Sequence, residues 1–341
     1  MKKYSILSFV LAGVILLSSC GSFEGQGSDV ANSTSNEVTA TEDTSAGSTE
    51  APSEETSVQT DAETDEPSDF TYAPIEINRT INATHVALLD VEKREILFEK
   101  GGLDTKIYPA STTKLITALV ALENCSPETV ITAGNELSLM GEGSSIAYIK
   151  RGHKLTLDML IAAMLLPSGN DAAYVVAAGV GKIMANDDSI SSKEAVNYFC
   201  REMNSFASKN GLTGSNFTCP DGYHDDNHYT TLHDMLIISS LAVQNETILK
   251  YAKTESLSVT YASGEKNSWN NTNELIKKSS PYYYSYAIGL KTGTTTEAGK
   301  CLVSAAQKDG RTVIACVFNA EGNDDRFASS LLLLKTVLGG K

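Results

Sequence analysis

The chain has 341 residues, enough for one large domain or two. Its 27 Lys and Arg against 42 Asp and Glu give a net charge of −15, with no basic stripe, which argues against nucleic-acid binding. The charge is unevenly placed: +2 in residues 1–20, −13 in residues 21–73 and −4 over residues 74–341.

Residues 1–20 read as an export signal and not as part of the fold. Lys2 and Lys3 precede an apolar run from Ile6 to Leu17, too short for an ordinary transmembrane helix. Leu17-Ser18-Ser19-Cys20, followed by Gly21, resembles a bacterial lipobox. That resemblance implies cleavage before Cys20 and lipidation of Cys20, hence an extracytoplasmic protein held to the bacterial cell membrane through an N-terminal lipid. Residues 21–73 hold 13 Asp or Glu, no Lys or Arg and almost no large apolar side chain. Such a segment buries too little apolar area to offset its ordering entropy, so it is predicted to be a disordered tether. As a flexible coil it spans about 40 Å. One folded domain is expected over residues 74–341.

In that domain His85 to Asp90 and Glu95 to Glu99 read as strands joined by a polar turn. Pro109 precedes a helix from near Ser111 to about Glu123, apolar nearly all round and therefore expected to be central and buried. Helices are predicted over Leu155 to Leu166, Asp171 to Val180, Ser192 to Lys209 and Thr230 to Val243. Thr231 is a candidate cap for the last, with Asp234 at capping-box spacing. Gly211 to His228 reads as a loop. Strands return at Glu255 to Tyr261, Ser285 to Lys291, Gly299 to Gln307 and Thr312 to Asn319. Lys308-Asp309-Gly310-Arg311 is a hairpin signal between the last two. A helix from Asp325 to about Leu338 follows. Two strands, a helical block, then strands and a helix predict an α+β fold. Its antiparallel sheet of about five strands is flanked by helices, with a mostly helical second lobe.

Three short motifs carry the chemistry. Ser111 and Lys114 stand at i and i+3, on one helix face. A serine hydroxyl needs a base within hydrogen-bond reach, and a lysine with a lowered pKa can serve. Ser168-Gly169-Asn170 and Lys291-Thr292-Gly293 follow in order. Each is weak alone; together and in order they resemble the triplet of class A β-lactamases and penicillin-binding proteins, with glycine for the aspartate of Ser-Asp-Asn.

More narrowly, the chain resembles the serine-type D-alanyl-D-alanine carboxypeptidases, the low-molecular-mass penicillin-binding proteins. Tyr108 to Lys114, Gly143-Ser144-Ser145, Ser168 to Ala172, Gly222 to Thr231 and Gly289 to Thr295 all carry the resemblance. It implies a β-lactamase/transpeptidase-like fold. It also implies cleavage of the terminal D-alanine from peptidoglycan stem peptides ending in D-Ala-D-Ala, with β-lactams as inhibitors and no cofactor. Ser111 would attack the carbonyl, Lys114 take its proton, and Ser168 relay a proton to the leaving amine. Asn170 would hold the substrate amide. Lys291, Thr292 and Thr294 would bind the terminal carboxylate, and the N–H groups of Ser111 and Thr294 would form the oxyanion hole. Gly293 would leave room for the substrate beside the strand. The arginine that some members place upstream of Lys-Thr-Gly is replaced here by Asn271-Thr272-Asn273, so carboxylate recognition is expected to rest on Lys291 and the threonines.

Rival readings are a penicillin-binding sensor, a non-catalytic surface lipoprotein and a β-lactamase. The last needs a deacylating glutamate, for which Asn273-Glu274-Leu275 is a poor match. His224, Asp225, Asp226 and His228 cluster, but their spacing fits no metal site, and no metal is expected. Of six cysteines, lipidation of Cys20 would leave an odd number, and Cys301 and Cys316 sit in apolar runs expected to be buried.

Overall fold

The computed structural model describes residues 70–340. The expected signal, Cys20 and the tether up to residue 69 lie outside the described residues. A short strand Thr71–Tyr72 (β1) precedes the hairpin Ala83–Asp90 (β2) and Glu95–Lys100 (β3). A single 3-10 turn, Ala110–Thr113, runs into Lys114–Asn124 (α1). The helical lobe continues with Val130–Thr132 (β4), Lys154–Thr156 (β5), Leu157–Leu165 (α2), Asn170–Ala185 (α3), Ser192–Lys209 (α4), Leu232–Gln244 (α5) and Glu246–Ala252 (α6). Ser256–Thr260 (β6) and Lys266–Asn270 (β7) follow, then Ala287–Thr295 (β8), Gly299–Lys308 (β9), Arg311–Ala320 (β10) and Asn323–Leu338 (α7).

The main sheet has the order β1-β3-β2-β10-β9-β8. Its last five strands pair antiparallel, and β1 adds a two-residue parallel edge. Two expectations shift here. The expected tether runs to residue 73, yet Thr71 N–H donates to Arg94 O and Ala73 N–H to Ile96 O, so the ordered body starts earlier. The predicted strand Glu255 to Tyr261 stays out of the main sheet; β6 pairs only with β7, as a separate hairpin. The tight β9–β10 turn is built as the sequence suggests: Asp309 (φ 52) and Gly310 (φ 81) are both left-handed, the requirement of a two-residue hairpin turn.

Both faces of the central strands are covered, which is why they read as apolar runs without alternation. Along β10, Val313, Ala315 and Val317 join the cluster with Phe327, Leu333 and Leu334 of α7. The alternate residues Ile314, Cys316 and Phe318 join the helical-lobe core with Leu115 and Ile116 of α1. Every residue of α1 from Lys114 to Ala121 is buried, as its all-round apolar pattern predicts. Cys301 and Cys316 are fully buried, and the five described cysteines are free. No helix among the described residues is long and apolar enough to cross a membrane.

Caps set the helix ends around the site. Thr231 Oγ1 accepts the Asp234 N–H at 3.1 Å and starts α5. The reciprocal capping-box bond is replaced by a longer reach: Asp234 Oδ2 accepts Gly214 N–H at 2.9 Å and Ser215 Oγ–H at 2.6 Å, pinning the loop before α5. A reciprocal capping box does form at α4, where Ser191 and Glu194 bond each other's backbone. Because Phe327 anchors α7 on the sheet at 1% exposure, Phe327→Ala is expected to remove about 3–5 kcal/mol of stability. Urea unfolding followed by circular dichroism measures this; a loss under about 1 kcal/mol, the size of an ordinary substitution, would contradict the packing described.

Candidate active site

The Ser111 turn is held from three sides. Thr112 Oγ1 donates to Pro109 O at 2.7 Å and Thr113 Oγ1 to Ala110 O at 2.8 Å, so the two threonines staple the turn. Ala110 is left-handed at φ 48. Gly222, at φ +80, comes so close that a Cβ there would stand 1.8 Å from Ala110 O. Gly293 of β8 closes the third side. A Cβ at Gly293 would lie 3.0 Å from Pro109 O and 3.2 Å from Ser111 N. Gly293 thus has a structural cause beside the expected one: the glycine admits the nucleophile turn against the strand.

Lys114 follows one turn after Ser111 and is fully buried. Its Nζ lies 2.9 Å from Ser111 Oγ, 2.8 Å from Asn170 Oδ1 and 2.8 Å from Asp221 O. The last two oxygens can only accept. A neutral lysine amine must give them its two N–H bonds, and the lone pair then faces the Ser111 hydroxyl. Burial favours that neutral form and brings the Lys114 pKa down to about 8, against the opposing pull of Asp221, Cys219 and Asp171. The Asn170 amide is oriented by its other end, where Nδ2 donates to Ser144 Oγ at 2.9 Å and Ser144 Oγ donates to Gly141 O at 2.7 Å.

Lys291 is also buried, and its Nζ donates to Thr292 O at 3.0 Å. Burial first, then the nearby Lys114 and Arg326 cations, hold its pKa well below the usual lysine value. Thr292 turns its hydroxyl to Thr272 at 2.6 Å, while Thr294 is exposed. The arginine absent upstream of Lys291 has a counterpart downstream. Arg326 reaches from the first turn of α7 to Gly293 O at 3.0 Å and Thr294 Oγ1 at 3.2 Å. Arg326 thus stands beside Gly293 and Thr294, in the stretch of β8 on which carboxylate recognition is expected to rest. One sequence signal for it existed: a cation in the first turn of a helix opposes the helix dipole and needs another reason to be there.

A cavity of about 370 Å³ opens over Ser111, lined also by Ser144, Asn170, Tyr223, Thr294 and Glu297. Lys114 and Lys291 lie behind its walls. Ser168, buried and at φ 63, is not one of the lining residues. The glycine that follows it has a physical cause. A Cβ at Gly169 would stand 2.6 Å from Asp171 Oδ1, 2.8 Å from Ala147 Cβ and 2.9 Å from Ala163 O.

The histidine cluster serves the loop. His228 Nδ1 accepts the Thr218 N–H at 3.0 Å, so Nε2 carries the proton and donates to Thr113 Oγ1 at 2.8 Å. His224 stands on the cavity wall, 4.8 Å edge-on from Tyr108 and 3.5 Å from Asp226. Glu274 is paired with Lys277 at 2.6 Å and does not line the cavity.

Residues 71–322 match the sequence profile of a peptidase family described as D-alanyl-D-alanine carboxypeptidase. The chain belongs to that family. Among relatives of the D-alanyl-D-alanine carboxypeptidase family, it is 33% identical over 223 residues to the D-alanyl-D-alanine carboxypeptidase of Streptomyces sp. strain K15, covering 63% of this chain and 73% of that one. It is 29% identical over 273 residues to D-alanyl-D-alanine carboxypeptidase DacF of Bacillus subtilis, covering 77% of this chain and 65% of the relative. Among solved structures, the crystal structure of the Streptomyces K15 DD-transpeptidase superposes with a TM-score of 0.68 at 30% identity, over 76% of this chain and 98% of that one. The α+β architecture is thus the fold of the D-alanyl-D-alanine carboxypeptidases and transpeptidases.

Two outcomes follow from the geometry. Restoring an aspartate to the middle motif with Gly169→Asp is expected to lower stability by about 1–3 kcal/mol, measured by urea unfolding, because backbone and not only side chain blocks the space. The second concerns His228, whose pKa burial lowers to about 4. The unfolded chain binds this proton near pH 6.5 and the folded chain does not. Stability is therefore full above about pH 6.5 and falls by about 3 kcal/mol as pH drops toward 4. Comparing the pH dependence of unfolding with that of His228→Gln isolates the effect; identical slopes would contradict it.

Proposed function

We propose that this family member is a serine D,D-carboxypeptidase that removes the terminal D-alanine from peptidoglycan stem peptides through an acyl-enzyme on Ser111. The observation that carries the reading is the set of three partners around Lys114, which leaves its lone pair no direction but the Ser111 hydroxyl. Ser111 Oγ forms a bond to the carbonyl carbon between the two D-alanines as Lys114 takes its proton. The C–N bond breaks, and the leaving D-alanine amine receives a proton, with Ser168 as the proposed relay. Water then attacks the ester, Lys114 again accepting a proton, and the shortened peptide leaves. The N–H groups of Ser111 and Thr294 are the proposed oxyanion donors, each worth about 3 kcal/mol in such sites.

The terminal carboxylate is proposed to bind where Lys291, Thr292, Thr294 and Arg326 converge, with Gly293 letting that strand meet the Ser111 turn. Burial and the neighbouring cations disfavour the charged form of Lys291, and a bound anion would offset that cost. Asn170 is proposed to hold the substrate amide. β-Lactams would acylate Ser111 in the same way. We further propose that Cys20 is lipidated after cleavage of the signal and that residues 21 to about 69 tether the enzyme to the outer face of the cell membrane. The lipobox-like Leu17 to Cys20 and the acidic composition support this reading.

Incubation with a fluorescent penicillin and with a peptide ending Lys-D-Ala-D-Ala, mapped by mass spectrometry, tests the activity. An adduct on Ser111 with release of one D-alanine, both lost in Ser111→Ala, is expected. Adduct without release would favour a sensor, and rapid loss of the adduct with hydrolysed penicillin a β-lactamase. No adduct would end the serine reading. Acylation is also expected to rise with pH through about 8, as Lys114 loses its proton. Lys114→Ala should lower the rate by about 10²–10⁴-fold, the usual contribution of a general base.

A further inference from the structure

Asp171 is buried beneath the cavity wall, and nothing in the reaction described so far uses it. Its carboxylate accepts the N–H groups of Ala147 at 2.8 Å, Ile149 at 2.8 Å and Ala172 at 2.9 Å. Between the first two lies Tyr148, left-handed at φ 62. A left-handed residue between two others turns their N–H groups to one side and makes a concave seat for an anion. For a bulky residue this conformation is strained. Tyr148 is 67% exposed, so burial of its ring does not repay the strain; the Asp171 carboxylate does. Ala147 is also held through its carbonyl. Ala147 O accepts Asn267 Nδ2 at 2.7 Å and Trp269 Nε1 at 3.0 Å, both from β7.

The segment fixed in this way is the one that orients Asn170. Ser145 O accepts the Asn170 N–H at 2.8 Å, and Ser144 Oγ accepts Asn170 Nδ2 at 2.9 Å. We propose that Asp171 is a positioning residue for acyl transfer: by seating the Ser144–Ile149 wall it keeps the carbonyl end of the Asn170 amide, and not its amino end, against Lys114. Trp269 shares the task from the β6–β7 hairpin. Were the wall released, the amide could turn over and present N–H donors to Lys114. The amine would lose an acceptor, and its lone pair would be drawn away from Ser111.

The proposal rests on the Ser111 acyl-enzyme reading, and the test separates the two. The acylation rate by fluorescent penicillin is followed from pH 6 to 10 in the parent chain, Asp171→Asn and Trp269→Phe, each checked for folding by circular dichroism. Failure of the parent to acylate defeats the underlying reading. With an active parent, folded Asp171→Asn is expected to show a high-pH plateau lowered at least ten-fold. Its acid limb should also move to lower pH, because Asp171 is one of the groups, with Asp221 and Cys219, that raise the Lys114 pKa. Lys291, which also faces Lys114, is unchanged in both variants. The limb reports that lost charge whatever the role of Asp171, so the positioning role is read on the plateau, which loss of the charge alone would not lower ten-fold. Trp269→Phe, which keeps the buried ring but loses its N–H, should lower the plateau about three-fold with the limb in place. A parental plateau in folded Asp171→Asn overturns the proposal, wherever the limb falls. If that variant does not fold, a parental plateau in Trp269→Phe overturns it.

Discussion

A single amine without access to water organises the centre of this molecule. Lys114 sits at the start of the buried helix α1, and its three polar contacts come from three unconnected stretches: the serine turn, the start of α3 and the loop before α5. An amine in such a place is tolerated only if every hydrogen-bonding direction is used. That requirement links parts of the chain that apolar packing alone would leave free to slide. The left-handed Ala110, the glycines at 222 and 293 and the threonine staples are all devices that bring backbone close enough for the amine to be satisfied.

The charge inside the cleft runs against the charge of the chain. The protein is acidic, but behind the cavity Lys114, Lys291 and Arg326 lie close enough to repel one another. Burial and repulsion act together on Lys291 and hold its pKa well below the usual lysine value. In the proposed reaction an incoming carboxylate would relieve both effects, so recognition of a chain terminus would draw on electrostatic stress already present in the fold.

Much of this was legible in the sequence, because the signals were local. The spacing of Ser111 and Lys114, the Asp309-Gly310 turn and the bounds of α4 each depend on a few neighbouring residues. The α+β class followed from the sequence of two strands, a helical block, then strands and a helix. Arg326 was not legible as a site residue, since its contact with β8 spans more than thirty positions and shows only as a misplaced cation. β8 continues through Lys291 to Thr295, where polar threonines on an open edge give no strand-like apolar pattern. The pairing of β6 with β7, instead of with the main sheet, depended on where the hairpin packs. Gly169 looked like a lost aspartate, and only the proximity of Asp171, Ala147 and Ala163 explains it.

β8 lies at the end of the sheet, so one side of its backbone has no strand beside it. An open edge of this kind is what a peptide could pair with, and also what another copy of the chain could pair with. Near Gly293 the serine turn covers it, and the threonines and Glu297 beyond keep it polar. The contact that brings Ser111 to the strand therefore has a second effect: it covers part of an edge that would otherwise be open to pairing. The same few atoms at Gly293 and the Ser111 turn thus both cover the sheet edge and place the serine.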